Sequence, residues 1–180
     1  MKHLYKFTFL LLTVLFIACK ENLPDPTQNG SNTIACKVNG KAWIAEVPLF
    51  PNNDKFSVLY SNLYKPRKRF ALFATRLTDK EHSNIILAVS DLKTTGTQYF
   101  SSDTTPLPDN PRYENHASYI EYKPNELKNI TNSHYTGSIT FTRVDTLSRV
   151  FAGTFEFTAE NSDGSGQTVK VTDGRFDIKY

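Results

Sequence analysis

The sequence predicts an all-β fold, an antiparallel β-sandwich or flattened barrel of about ten short strands, behind an apolar N-terminal segment and a polar spacer. Three observations carry this. Apolar residues recur with a period of two along most of the chain and hardly anywhere with a helical period. Clusters of Asn, Asp, Gly, Pro and Ser interrupt the alternating runs every ~8–14 residues, the spacing of turns in sandwiches and barrels. No stretch repeats at the period of a solenoid or propeller. The alternative with the same signals is a closed up-and-down barrel holding a ligand.

Met1 to Lys6 carries two positive charges, Lys2 and Lys6, and no acid, and Phe7 to Ala18 is apolar but for Thr8 and Thr13. As a helix that run spans roughly 18 Å, against ~30 Å of hydrocarbon in a bilayer. It is too short to cross a membrane and suits the apolar region of a signal peptide. Phe16-Ile17-Ala18-Cys19 resembles the lipobox of bacterial lipoproteins, with Phe16 where leucine is commonest. The resemblance implies cleavage before Cys19, a diacylglycerol thioether on its sulfur and acylation of the new amine. At about 0.8 kcal/mol per buried methylene, two or three acyl chains make an essentially permanent membrane anchor. The alternative is an ordinary secreted protein cut near Ala18. Lys20 stands where an aspartate often retains lipoproteins at the inner membrane, and Lys20-Glu21 resembles the export tag of Bacteroidota surface lipoproteins. The expected location is therefore the outer membrane, facing the periplasm or the cell surface. Asn22 to Asn32, rich in Pro, Asn, Gly and Ser, reads as a flexible tether. The expected division is signal peptide 1–18, lipidated tether 19–32 and one β domain 33–180.

Thr33–Val38 and Lys41–Val47 flank Asn39-Gly40, a strong hairpin signal because both residues accept positive φ at little cost. Further strands are expected at Lys55–Tyr60, Arg69–Leu77, Asn84–Leu92, Thr97–Phe100, Ala117–Lys123, Gly137–Val144 and Val150–Glu160. A last hairpin, Gln167–Thr172 and Arg175–Lys179, is expected around Asp173-Gly174. Pro51 to Asp54, Thr78-Asp79-Lys80, Thr94-Thr95-Gly96 and Ser162 to Gly166 supply the other turns. The alternation is cleanest after Val150. Phe151, Gly153, Phe155, Phe157 and Ala159 share one face, and Ala152, Thr154, Glu156, Thr158 and Glu160 the other. Ser101 to Asn115, with three prolines and no periodic apolar residue, reads as a long surface loop. Lys123 to Ser133 reads as a second irregular stretch with one helical turn at Asn125–Asn129.

Without Lys2 and Lys6, the 21 basic residues fall to 19 against 18 acids, a net charge of +1. Nucleic-acid binding needs clustered positive charge, so no such partner is expected. The one local cluster, Lys65 to Arg69, reads as a solvated turn entering a strand. With Cys19 acylated, Cys36 has no disulfide partner; in the alternating run Ile34-Cys36-Val38 it reads as a small buried hydrophobe.

Chemistry-bearing motifs are sparse. His82, His116 and His134 lie 34 and 18 residues apart, without a His-x-His or His-x-x-x-His pair, and no metal or other cofactor is expected. Asn161, Asp163 and Ser165 offer oxygens, but the bidentate acid of a calcium loop does not follow, so they read as a hairpin loop. There is no Gly-x-Ser-x-Gly elbow, Ser-x-x-Lys pair or phosphate loop. The domain is expected to be non-enzymatic, with no catalytic residue assigned; a glycosidase-type carboxylate pair is the enzymatic alternative. Tyr113, Tyr119, Tyr122 and Tyr135 sit beside the irregular stretches, and Tyr99 and Phe100 just before them. Aromatic faces with polar edges stack on sugar rings or form protein contacts, though each of these side chains also has a reading as sheet packing. The expectation is that these tyrosines and the Ser101–Asn115 loop form the ligand surface, since long loops on rigid β scaffolds often carry binding. Asp103-Thr104-Thr105 and Asp145-Thr146-Leu147 resemble the Asp-Ser/Thr-apolar acceptor of Bacteroidota O-glycosylation, which implies Thr104 and Thr146 as modification sites.

Three pieces resemble small Bacteroidota lipoproteins of unknown function, specifically domain of unknown function family 6252. They are the opening Cys36-Lys37-Val38-Asn39-Gly40-Lys41-Ala42-Trp43-Ile44-Ala45, the strand Gly153-Thr154-Phe155-Glu156-Phe157-Thr158-Ala159, and Val171-Thr172-Asp173-Gly174-Arg175-Phe176-Asp177 near the end. The resemblance implies a cell-envelope lipoprotein with a β domain and transfers no catalytic residue. The expected function is a non-enzymatic β module binding a glycan or an envelope protein. The alternatives are a structural or assembly factor of the envelope without a small ligand, and a lipocalin-like carrier of an apolar ligand.

Overall fold

The computed structural model describes residues 22–48, 54–62, 67–100, 115–122 and 126–180. Among these, eleven strands and no helix are found. They are β1 (Thr33–Val38), β2 (Lys41–Ile44), β3 (Phe56–Ser61), β4 (Arg69–Leu77), β5 (His82–Val89), β6 (Gly96–Phe100), β7 (His116–Glu121), β8 (Leu127–Ile130), β9 (Gly137–Asp145), β10 (Val150–Asn161) and β11 (Thr168–Lys179). The strand order is β2-β1-β11-β10-β8-β7-β5-β4-β3, with β9 pairing β10 on one side and β6 on the other. Neighbouring strands pair antiparallel in one sheet that does not close into a barrel. The all-β fold expected from the alternation is the one observed.

β10 turns the sheet over. Its Val150–Phe157 half pairs with β9, while Glu160 and Asn161 pair with β8. The β3-β4-β5-β7-β8 part thereby folds across the rest, and the inward faces meet. Phe70 of β4 stands 5.1 Å from the ring of Phe141, 5.0 Å from Phe151 and 6.2 Å from Phe176, on β9, β10 and β11. Each ring removed from water contributes about 1.5–3 kcal/mol. At the other end the indole of Trp43 is buried and its Nε1–H donates to Ser83 Oγ at 2.8 Å; Ser83 Oγ in turn donates to Glu81 Oε1 at 2.7 Å. A buried donor left unpaired would cost about 1–3 kcal/mol, so this pairing is what lets tryptophan fill that position.

Glycine and phenylalanine alternate across the central strands for a steric reason. Gly153 of β10 sits opposite Phe176 of β11, and a Cβ on Gly153 would lie 2.8 Å from the Phe176 ring. Two residues on, the roles reverse: Phe155 sits opposite Gly174, where a Cβ would lie 2.6 Å from the Phe155 ring. Each ring covers the glycine across from it, which supplies the apolar cover the glycine lacks.

Four details differ from the sequence reading. The expected hairpin at Asp173-Gly174 is a bulge within one strand: β11 carries one extra residue there against both β1 and β10, and Asp173 adopts φ 54°. The positive φ falls on Asp173 and not on the glycine, and neighbours on both sides hold the strand through it. The helical turn expected near Asn125–Asn129 is replaced by β8, whose Leu-Lys-Asn-Ile has no alternation and is strand only because β7 and β10 lie on either side. β2 ends at Ile44, and Glu46 makes a parallel bridge to Arg76 of β4 instead of extending the hairpin. Ala152 does face away from the core, yet it is fully buried.

What covers Ala152 is the stretch read as a tether. Residues 22–32 lie as a strap across the outer face of β9, β10 and β11. Arg175 Nη1 of β11 donates to the carbonyl of Pro24 at 2.9 Å, and Arg143 Nη1 of β9 donates to that of Gln28. The chain then returns to Asp177 of β11, whose buried carboxylate accepts from Thr27 Oγ1 (2.6 Å), Asn29 N (3.1 Å), Gly30 N (2.7 Å) and Ser31 N (3.0 Å). Burial raises the Asp177 pKa, but these hydrogen bonds outweigh it and hold the carboxyl below the usual range. Hydrogen bonds to a charged acceptor are the strong ones, so the strap is fastened at this side chain.

Candidate functional site

The outer face of β6, β9, β10 and β11 continues past the strap as an open groove. Pairing registers sort its side chains into rows, because residues opposite each other across a ladder point to the same side. Nearest the strap stand Thr97, Thr140, Thr154 and Arg175. The next row is Tyr99, Ser138 and Glu156, with Thr172 at the β11 bulge. Thr158 and Lys170 follow, beside Thr136. Two adjoining hollows of about 370 and 380 Å³ occupy this face and share Ser138 and Glu156. Pro26 of the strap lines the first and Tyr99 the second.

The floor is mostly hydroxyl groups, each able to donate and accept. Thr97 and Thr140 bond each other at 2.8 Å across β6 and β9. Its acids are Glu156 and Asp173 and its bases Lys170 and Arg175. Asp173 pairs with Lys37 at 2.8 Å. Above the floor the Tyr99 side chain is 70% exposed on β6, an edge strand among the described residues. Its backbone carbonyl accepts from Asn115 Nδ2 at 3.3 Å, and Asn115 Oδ1 accepts from Ser90 N at 2.8 Å.

The other residues singled out in the sequence go elsewhere. Tyr119 is buried beside Ser83 and Trp43; burial, partly offset by a hydrogen bond with Ser83, pushes its hydroxyl up to about 12. Tyr122 stacks on His82 at 4.3 Å and its hydroxyl accepts from Asn84 Nδ2. Tyr135 closes a tight turn in which its N–H donates to Asn132 Oδ1 at 2.8 Å. Of the four tyrosines described, only Tyr99 joins the groove. Cys19, Thr104 and Tyr113, with residues 101–114 of the long loop, lie outside the described residues. Thr146 is exposed in the four-residue turn between β9 and β10. Asp145 holds that turn by accepting from Leu147 N and Ser148 N, at 3.1 and 2.8 Å. The Ser148 backbone bond, then the Arg143 side chain, lower its carboxyl to about 2. In the Asn161–Ser165 loop the polar side chains satisfy the loop's own backbone: Asn161 Oδ1 accepts from Asp163 N and Asp163 Oδ1 from Ser165 N.

Another hollow, about 450 Å³, opens beside the β1–β2 hairpin between Lys41, Trp43, Arg76, Glu81, Tyr119 and Glu121. Two of its charged groups, Arg76 and Glu81, are engaged with the scaffold. Arg76 lies 3.3 Å from both Glu46 and Glu81 and donates to the Ala42 carbonyl at 2.9 Å, tying β2 to β4. Cys36 lies in the core, where burial pushes its thiol pKa up in spite of Arg76.

The groove was not visible in the sequence because Thr140, Thr154, Glu156 and Thr158 are ordinary outward residues of amphipathic strands. Asp177 did carry a signal: an acid between Phe176 and Ile178 in the last strand is unusual company for a carboxylate. No family model, curated protein or solved structure matches the chain.

Proposed function

We propose that the chain is a lipid-anchored, non-enzymatic module of the outer membrane, facing the periplasm or the cell surface, whose groove binds a glycan. The observation that carries the binding part is the Tyr99 ring standing beside a floor of Ser and Thr hydroxyls. Sugars present apolar C–H faces together with many hydroxyls. An exposed aromatic ring next to small hydroxyl side chains offers both kinds of contact. The anchor at Cys19, the membership in family 6252 and the envelope location are supported by the sequence motifs. An apolar carrier is less favoured, because the space between the layers is filled by Phe70, Phe141, Phe151 and Phe176.

A glycan array probed with the mature protein and with Tyr99→Ala tests the binding. The expected result is a defined set of glycans retained by the wild type and bound at least about tenfold more weakly by the variant, roughly 1.4 kcal/mol. The melting temperature should not move, since Tyr99 is 70% exposed. An array blank for the wild type refutes the glycan reading and leaves an envelope protein, or a purely structural role, to a pull-down from envelopes. Labelled palmitate should enter the wild type and not Cys19→Ala.

A further inference from the structure

We infer, resting on the glycan reading above, that the strap makes the groove blind at one end, so that its ligand is the terminus of a linear oligosaccharide and not the interior of a polymer. The strap crosses the strands instead of running along them. Pro24 is held by Arg175 on β11 and Gln28 by Arg143 on β9, and between them Ala152 of β10 is fully covered. A chain lying along the strands from Thr158 toward Thr154 therefore runs into Pro26, which lines the groove there. One side is walled by Tyr99 on the edge strand, the other by the Lys37–Asp173 ion pair. Among the described residues, the remaining opening lies past Thr136 and Lys170.

From the Thr158 row to the Thr154 row the floor is about 13 Å long at ~3.3 Å per residue, room for a short oligosaccharide and more than one sugar. Asp173 is held by Lys37, and Arg175 donates to the carbonyls of Pro24 and Asp173, while Glu156 and Lys170 line the open half of the groove. The wall is firm because Asp177 takes four hydrogen bonds from strap donors and Asn32 Oδ1 accepts from Lys179 N at 2.9 Å. Gly30, at φ 79°, brings the strap backbone close over the Cβ of Lys179.

The test uses the mature protein, a series of linear neutral oligosaccharides, and cyclic glucans of the same linkage, which have no ends. Calorimetry should show linear chains binding at least about tenfold more tightly than the rings. Hydrogen exchange should show the Asn29, Gly30 and Ser31 amides protected. Asp177→Asn loosens the strap, and Thr27→Ala does so more gently should the first variant fold poorly. Both should free those amides while β10 and β11 stay protected, and both should bring the linear-to-cyclic ratio toward one. Equal binding of rings and linear chains by the wild type overturns the blind end and leaves the glycan reading standing. So does a preference for linear chains that survives in variants whose strap amides exchange freely. Strap amides that exchange in the wild type like those of a free peptide overturn the wall whatever binds. If neither rings nor linear chains bind, the glycan reading fails and the inference falls with it.

Discussion

Replacing Gly153 by alanine should be among the most damaging single-methyl changes in this chain, and its size follows from what the new atom would meet. A Cβ there would lie 2.2 Å from the carbonyl oxygen of Thr140 and 2.8 and 3.0 Å from Cζ and Cε1 of Phe176. The ring could rotate only into its neighbours Phe70, Phe141 and Phe155, which stand 6.2, 5.7 and 6.5 Å away by centroid. The carbonyl could retreat only by carrying β9 away from β10. Overpacking typically costs 1–3 kcal/mol, and a clash with backbone belongs at the top of that range, about 3 kcal/mol. For a domain of this size each kcal/mol moves the melting temperature by roughly 2–4 °C, so a fall of about 6–12 °C is expected in far-UV circular dichroism. Gly164→Asn is the control. Nothing lies within 4 Å of a Cβ at Gly164, and asparagine tolerates its φ of 76°, so that variant should melt within about 0.5 kcal/mol of the wild type. Gly153→Ala melting with the control would mean that the strands are not packed ring over glycine as described, and the account of the core would fall with it.

Ser83→Ala should cost about 1–3 kcal/mol in urea titrations, because the buried Trp43 N–H loses its acceptor. The double variant Trp43→Phe, Ser83→Ala should recover the part due to the orphaned donor, and strict additivity would contradict that pairing. Asp177 and Asp145 both have folded pKa values below the unfolded value of about 3.9. Their contribution is therefore present above about pH 4 and lost as pH falls through the lower folded values. Melting temperature should drop between about pH 4 and 2, and less steeply in Asp177→Asn; parallel profiles would show that the Asp177 carboxylate is not the fastening point. Cys36, in a chain carrying Cys19→Ala, should resist thiol reagents while folded and react fully in denaturant, since burial disfavours its thiolate. Prompt labelling of the native protein would show the thiol to be accessible.

Particular residues show where reading the chain succeeded and where it stopped. Asn39 and Gly40 do adopt φ 49° and 81° in a two-residue hairpin between β1 and β2, as their types dictate. Phe151, Phe155, Phe157 and Ala159 are buried on the face the alternation assigns them. Both are local facts, fixed by backbone sterics and by the period of a strand. Leu127–Ile130 is not local: nothing in four mixed residues indicates a strand, and β7 and β10 make it one. Asp173-Gly174 has turn chemistry, but flanking strands convert the same positive φ into a bulge. Tyr99 stands near the long loop in sequence, and Asn115 of that loop bonds its carbonyl, but Ser138 and Glu156, which share its hollow, are supplied by β9 and β10.

By itself, then, the sequence determined the class of the fold, its first hairpin and the inward face of its longest strands. These depend on side-chain parity and on the φ values open to each residue. It also supplied every argument for the anchor at Cys19. The tertiary structure alone decided that a Pro- and Asn-rich spacer lies fastened across the sheet, and that hydroxyls from strands distant in sequence share one groove. Polar outward residues look alike in any amphipathic strand, and only register and strand order determine which of them stand side by side. A spacer with nothing to bury can still be held in place when a buried carboxylate elsewhere needs its amide hydrogens.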